Sequence, residues 1–148
     1  MKIRLLQKSD IDQAAAIVGR NYSKKYEKSS HLELSDMFDA GVIKPTYFVA
    51  EEDDKIIALA GFIQSWMDYS LYEIFWVNVL PEKQRLGLGQ KMVWRLISEI
   101  KKKKGACGIL LTANGLKNIP KWYKNKFKFK TIQKFEKNND DIMYLSLE

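Results

Sequence analysis

Three groups of residues have types and spacing that suit chemistry. The first is the run Val77-Asn78-Val79-Leu80-Pro81-Glu82-Lys83-Gln84-Arg85-Leu86-Gly87-Leu88-Gly89-Gln90-Lys91-Met92. An apolar, β-branched segment closed by Pro81 runs into a glycine loop. The loop opens a helix whose apolar face is Met92, Val93, Leu96, Ile97 and Ile100. The free N–H groups of a first helical turn and the positive end of its dipole converge on one spot, which is a phosphate site in physical terms. Gly87 and Gly89 allow close backbone approach to an anion. Two glycines are a weak signal alone, so the alternatives matter. No Gly-Lys-Ser/Thr follows, which excludes a P-loop. The third glycine of a dinucleotide fingerprint falls on Met92, and no ribose-binding acid follows at the right distance.

The other two groups surround Glu73 and Tyr123. Glu73 lies eleven residues before Gln84, among Ile74, Phe75 and Trp76. Strand alternation places Glu73, Phe75, Val77 and Val79 on one face. A carboxylate there is either chemical or a plain strand-end charge. Tyr123 lies in Trp122-Tyr123-Lys124-Asn125-Lys126-Phe127, where packing beside Trp122 is its bland alternative. A single cysteine, Cys107, and a single histidine, His31, leave no internal disulfide, no zinc site and no Cys-His pair.

These groups need elements to position them. Lys2 to Leu6 reads as a strand. Ser9, as an N-cap, opens a helix with Ile11, Ala15, Val18 and Tyr22 on one face. Ser30-His31-Leu32-Glu33 has the form of a second capping box, with Gly41 as its stop. Thr46 to Glu51 and Lys55 to Met67 are strands about an Asp53-Asp54 turn, and Leu71 to Leu80 follows. The long helix ends in Lys101 to Lys104, cations that suit a helix C-terminus, and then Gly105. Ile109 to Ala113 is a strand and Asn118 to Lys124 a short helix that tolerates Pro120 in its first turn. Lys128 to Phe135 and Ile142 to Leu147 are the last strands, with an Asn138-Asn139-Asp140 turn. The order predicts an α/β (α+β) fold: one mixed sheet of about seven strands with helices on both faces.

Gln84-Arg85-Leu86-Gly87-Leu88-Gly89 matches the Gln/Arg-x-x-Gly-x-Gly/Ala motif of the GNAT N-acetyltransferases, and the preceding Val-x-Val-x-Pro and following helix match too. The chain resembles that superfamily along nearly its whole length, as a single domain over 1–148. The resemblance implies a mostly antiparallel sheet and acetyl-CoA as cosubstrate. Its pyrophosphate would rest on N–H groups from Arg85 through Gln90, with Val77 and Val79 on the strand ahead. Lys83, Arg85 and Lys91 would add charge. Tyr123 corresponds to the tyrosine whose hydroxyl reaches the thioester sulfur, although Lys126 stands where the family prefers glycine. Leu116 stands where the family often has asparagine, so Asn118 or Asn114 takes that place. Glu73 matches the offset of the base glutamate in the histone-acetylating branch. The resemblance thus implies an acetyl-CoA-dependent acyltransferase acting on a primary amine. With no Ser-His-Asp or Cys-His set present, direct transfer in a ternary complex is expected.

The balance of the composition sets limits on partners. The chain has 148 residues, 46% of them hydrophobic, and a net charge of +7. It has no apolar run near the roughly 20 residues of a spanning helix, and no signal-peptide core, so a cytoplasmic protein without a membrane partner is expected. No metal is expected. The resemblance implies a small-molecule or peptide amine as acceptor, bound over the first two helices and the loops before the central strands, a region that holds Tyr22, Tyr26, His31, Trp66, Tyr69 and Tyr72, and a homodimer is left open. Two rivals remain. One is a nucleic-acid-binding module, from the basic and aromatic stretch Lys124 to Lys137. However, Lys126-Phe127-Lys128-Phe129-Lys130 also reads as a strand with Phe inward and Lys outward, which disfavours a nucleic-acid partner. The other is a non-catalytic CoA-binding sensor.

Overall fold

The computed structural model describes all residues, 1–148. Seven strands form one sheet: β1 (Lys2–Leu5), β2 (Thr46–Glu52), β3 (Lys55–Gln64), β4 (Leu71–Val79), β5 (Gly108–Asn114), β6 (Lys130–Phe135) and β7 (Asp140–Ser146). Their order is β1-β2-β3-β4-β5-β7-β6, and every pairing is antiparallel except β4 with β5. Four helices cover the sheet: α1 (Ile11–Asn21), α2 (Lys24–Ser35), α3 (Leu88–Lys101) and α4 (Ile119–Phe127). The expected mixed, mostly antiparallel sheet with helices on both faces is what forms.

Each face has its own core. On one, Ala14, Ala15, Ile17 and Val18 of α1 and Leu34 of α2 pack on Tyr47, Val49 and Leu59. On the other, Met92, Val93, Leu96, Ile97 and Ile100 of α3 and Tyr123 and Phe127 of α4 pack on Phe48, Ala58, Ile74, Ile109 and Leu111. The α3 stripe is the one its apolar spacing predicts, and Gly105 follows the helix at φ +79°.

Local signals misled in four places. Ser9 does not cap α1. The carboxylate of Asp10 accepts the Gln7 N–H at 2.7 Å and holds the chain just ahead of Ile11. Ser30 starts no helix. It lies inside α2, fully buried, and its hydroxyl donates to the Glu27 carbonyl at 2.9 Å. The chain enters α2 from Ser23, which is extended (φ −165°), and Gly41 lies past a tight turn at Asp36–Phe38. Tyr22 falls off the α1 face and is half exposed. Finally, Lys126 to Lys130 is not an alternating strand. Phe127 ends α4 and Lys128 turns left-handed (φ 68°), so Phe127 and Phe129 are both buried. Both rings serve the core, whereas Phe135, the third aromatic of the basic stretch, is exposed on β6.

Candidate active site

The glycine loop does what its residue types allow. After β4, Pro81–Lys83 makes one tight helical turn. Arg85 and Gly87 then take positive φ, 63° and 81°, and Gly87 is the N-cap of α3. No side chain caps that end, so the first-turn N–H groups face outward unclaimed. A Cβ on Gly89 would stand 3.7 Å from Val79 and 3.8 Å from Trp122, ordinary contact distances. Gly89 is therefore not demanded by the fold. What its missing side chain preserves is space in the cleft beside the helix end.

The cleft exists because β4 and β5 part company. They pair only from Leu71 to Glu73 against Gly108 to Leu110. Beyond that, β4 has no partner on this side. On its other side the register with β3 jumps between Gly61–Phe75 and Leu59–Asn78, so two residues of β4, Trp76 and Val77, oppose one of β3. Trp76 sits at φ 51°, a strained value for a bulky side chain. The bulge breaks the alternation that the sequence suggests. Phe75 packs edge-on against Tyr47 at 5.6 Å, on the α1–α2 side. Val77 and Val79 pack on the α3–α4 side. Glu73 and Phe75 thus do not share a face with Val77 and Val79, because one inserted residue inverts every side chain after it.

A cavity of ≈ 560 Å³ brings together Val77, Val79, Gln84, Arg85, Gly89 and Tyr123. An adjoining one is lined by Gly87, Gln90, Asn118 and Lys126 along with Arg85 and Gly89. Asn118 holds a left-handed conformation (φ 56°) at the N-cap of α4. Two predicted loop residues stand apart: the Leu86 side chain is exposed, and that of Leu88 is buried in the α3 core. They can contribute only main-chain groups. Gln84 is busy structurally, since its amide donates to the Val79 carbonyl and to Asn21 Oδ1, both at 3.0 Å. Asn21 in turn donates to Asn78 Oδ1 and to the Val79 carbonyl, again at 3.0 Å. This amide network ties the end of α1 to β4 and the loop.

Tyr123 is 6% exposed, with Trp122 at 4.8 Å and Phe129 at 5.6 Å between ring centroids. Burial, with a smaller contribution from Tyr22, pushes its phenol well above the ordinary tyrosine range. Its hydroxyl is therefore neutral. Tyr123 also lines a cavity of ≈ 490 Å³ in the mouth of the splay, facing Tyr22, Tyr26, Trp76, Asn114 and Asp140. Glu73 is separate. It lines a pocket of ≈ 320 Å³ with Ser65, Met67, Phe75, Thr112 and Ile142. The two spaces meet at Ile74, Phe75, Leu111 and Thr112.

Of the residues expected near the acceptor, Tyr22 and Tyr26 line the splay cavity. His31 instead bonds Asp12 at 2.8 Å, and Tyr72 is buried against Phe62. Trp66 and Tyr69 are exposed in the β3–β4 connection. Sequence reasoning missed Asn21, Asn78, Lys117 and Asp140. The asparagines sit in unremarkable contexts and acquire meaning only through contacts across more than fifty residues of chain.

Comparison with known proteins gives this geometry a family. Residues 12–127 match the model of the Acetyltransferase (GNAT) family, and the chain belongs to it. A comparison with curated protein sequences found no match. Among solved structures, one described as a putative acetyltransferase of the GNAT family from Desulfovibrio desulfuricans is similar over 99% of both chains, with 15% identity and a TM-score of 0.87. The ribosomal-protein-S18-alanine N-acetyltransferase of Escherichia coli is 20% identical over 99% of this chain and 94% of its own, with a TM-score of 0.77. The PaiA N-acetyltransferase of Thermoplasma acidophilum, in complex with coenzyme A, is 17% identical over 99% of both chains, with a TM-score of 0.73. At these identities the likeness is one of fold. No helix is long and apolar enough to cross a membrane.

Proposed function

We propose that this protein transfers the acetyl group of acetyl-CoA directly to a primary amine in a ternary complex. One observation carries the reading: a single cleft is lined both by the uncapped glycine loop and by a buried tyrosine. The pyrophosphate would rest on N–H groups from Arg85 through Gln90, where two positive-φ residues and a helix dipole act together. Gly89 keeps room for it, and Asn118 flanks it from α4. The pantetheine would then lie along the unpaired edge of β4, past Val79 and Val77.

The chemistry follows from what aminolysis requires. The amine nitrogen attacks the thioester carbon, and the carbonyl oxygen takes the charge. A backbone N–H of the Trp76–Val79 stretch is the candidate donor to that oxygen, since a bulge frees main-chain groups from the ladder. The C–S bond then breaks. Tyr123 gives its proton to the departing sulfur, while the proton of the amine passes through water to Glu73. The water is needed because Glu73 opens on a different space from Tyr123.

The test is Glu73→Gln. It keeps the shape of the side chain and removes the base. Turnover should fall by about 10² or more while acetyl-CoA affinity holds. Wild-type turnover would take the role away from Glu73.

A further inference from the structure

The acceptor side of the cleft has a charge pattern of its own. Ile109, Leu111 and Ala113 of β5 enter the α3–α4 core, which leaves Leu110, Thr112 and Asn114 on the opposite face. The register sets Glu73 beside Leu110 and Asp140 opposite Asn114, so both carboxylates belong to that face. Leu110 and Asn114 are four residues apart on β5, about 13 Å of strand. The cavities that hold Glu73 and Asp140 run together at Ile74, Phe75, Leu111 and Thr112. The result is one trough with a carboxylate toward each end.

Neither carboxylate is used internally. The ion pairs of the molecule engage Asp10, Asp12, Glu51, Glu52, Glu82 and Glu99. The chain has 25 Lys and Arg, yet Lys117 is the one cation lining the trough. The cavity that Asp140 lines has an aromatic wall as well. Tyr22 and Tyr26 stand 5.7 Å apart, and Tyr26 and Trp76 6.4 Å. Ring faces attract ammonium groups, and the Lys117 Nζ already lies 4.9 Å from the Tyr22 centroid. Lys117 also borders the cavity at the glycine loop. A phosphate bound there would offer the Lys117 ammonium a second partner.

On the footing of the acetyl-transfer reading, we propose that the acceptor is a linear amine with a second ammonium group. Glu73 serves the nitrogen that reacts. Asp140, with Tyr22, Tyr26 and Trp76, holds the nitrogen that does not. A monoamine has no second ammonium group to place at Asp140, and neither has a peptide N-terminus followed by neutral side chains.

Hexamethylenediamine and hexylamine differ at the distal ammonium alone, so they make the test. Calorimetry on protein loaded with CoA reads their binding, and thiol release from acetyl-CoA reads their kcat/KM. The diamine should win by about tenfold in both, the scale of one charge-assisted hydrogen bond. Asp140→Asn should bring the diamine to within about twofold of hexylamine, with the melting temperature reporting that the variant is folded. Equal binding of the two amines to wild type would overturn the proposal. So would an unchanged ratio in Asp140→Asn, or a preference for a neutral peptide N-terminus. If acetyl-CoA binds but no amine, amino acid or peptide releases thiol, the transfer reading fails, and the calorimetric comparison still decides this one.

Discussion

In the proposed reaction, Tyr123 is where fold and chemistry compete for one side chain. Its ring is core, wedged among Trp122, Phe127 and Phe129. Its hydroxyl has no packing duty that a phenylalanine would fail. Tyr123→Phe should therefore fold as well as wild type and bind acetyl-CoA as tightly. Turnover should drop by about one to three orders of magnitude, the effect of losing one acid or one donor to developing charge. Single-turnover kinetics should show the same defect, because it lies in the chemical step. An acyl donor with a more acidic thiol should suffer less, since its thiolate leaves unaided. Equal slowing with both donors would make Tyr123 a positioning residue. The sequence could show that a tyrosine stands at this place. It could not show that Glu73 opens on a separate pocket, because that depends on which way a bulged strand turns.

At the scale of elements, the uncapped N-terminus of α3 is the feature most open to direct challenge. Gly87 is required by its own backbone at φ 81°, but Gly89 is not, and the free space about it is ordinary. Gly89→Val should thus leave thermal stability of the free protein nearly intact while acetyl-CoA affinity, read by calorimetry, falls at least about tenfold, a loss of about 1.4 kcal/mol. Unchanged affinity would remove the loop from the cofactor site. The elements that were legible in the sequence share one property: a strong local period. The α3 stripe and the strands about Asp53-Asp54 are of this kind. Ser30, Phe127 and the β4 face were misread where one position decided the outcome. A left-handed Lys128 or an inserted Trp76 changes everything downstream, and neither residue type announces it. The glycine loop was readable because its glycines, its preceding strand and its helix all had to coincide.

For the whole molecule, the sheet's first strand is fastened by a charge cluster. Arg4 donates to both oxygens of Asp10, at 2.7 and 3.1 Å, and reaches Glu51 on β2 at 3.4 Å. Burial alone would raise the Asp10 carboxyl, but the hydrogen bonds from Arg4 and the Gln7 N–H outweigh it and hold the group below the ordinary aspartate range. A depressed folded-state value means that Asp10 contributes stability above the unfolded value of about 3.9, and that this is lost as pH falls through the folded value. Urea unfolding between about pH 5 and pH 2 should show a steeper loss for wild type than for Asp10→Asn. Parallel slopes would mean that the cluster adds nothing in acid.

On the proposed function, the cleft carries acetyl from CoA to an amine. Thiol release from acetyl-CoA tests it most directly. The protein is mixed with acetyl-CoA and, in turn, with hexamethylenediamine, hexylamine, free amino acids and short peptides. Thiol should appear above the no-amine background with at least one of them, in equal amount with acetylated amine. It should rise with enzyme concentration and collapse in Glu73→Gln and Tyr123→Phe. Tight binding of acetyl-CoA, with no thiol released by any amine, would contradict the claim and leave a domain that senses the cofactor without using it.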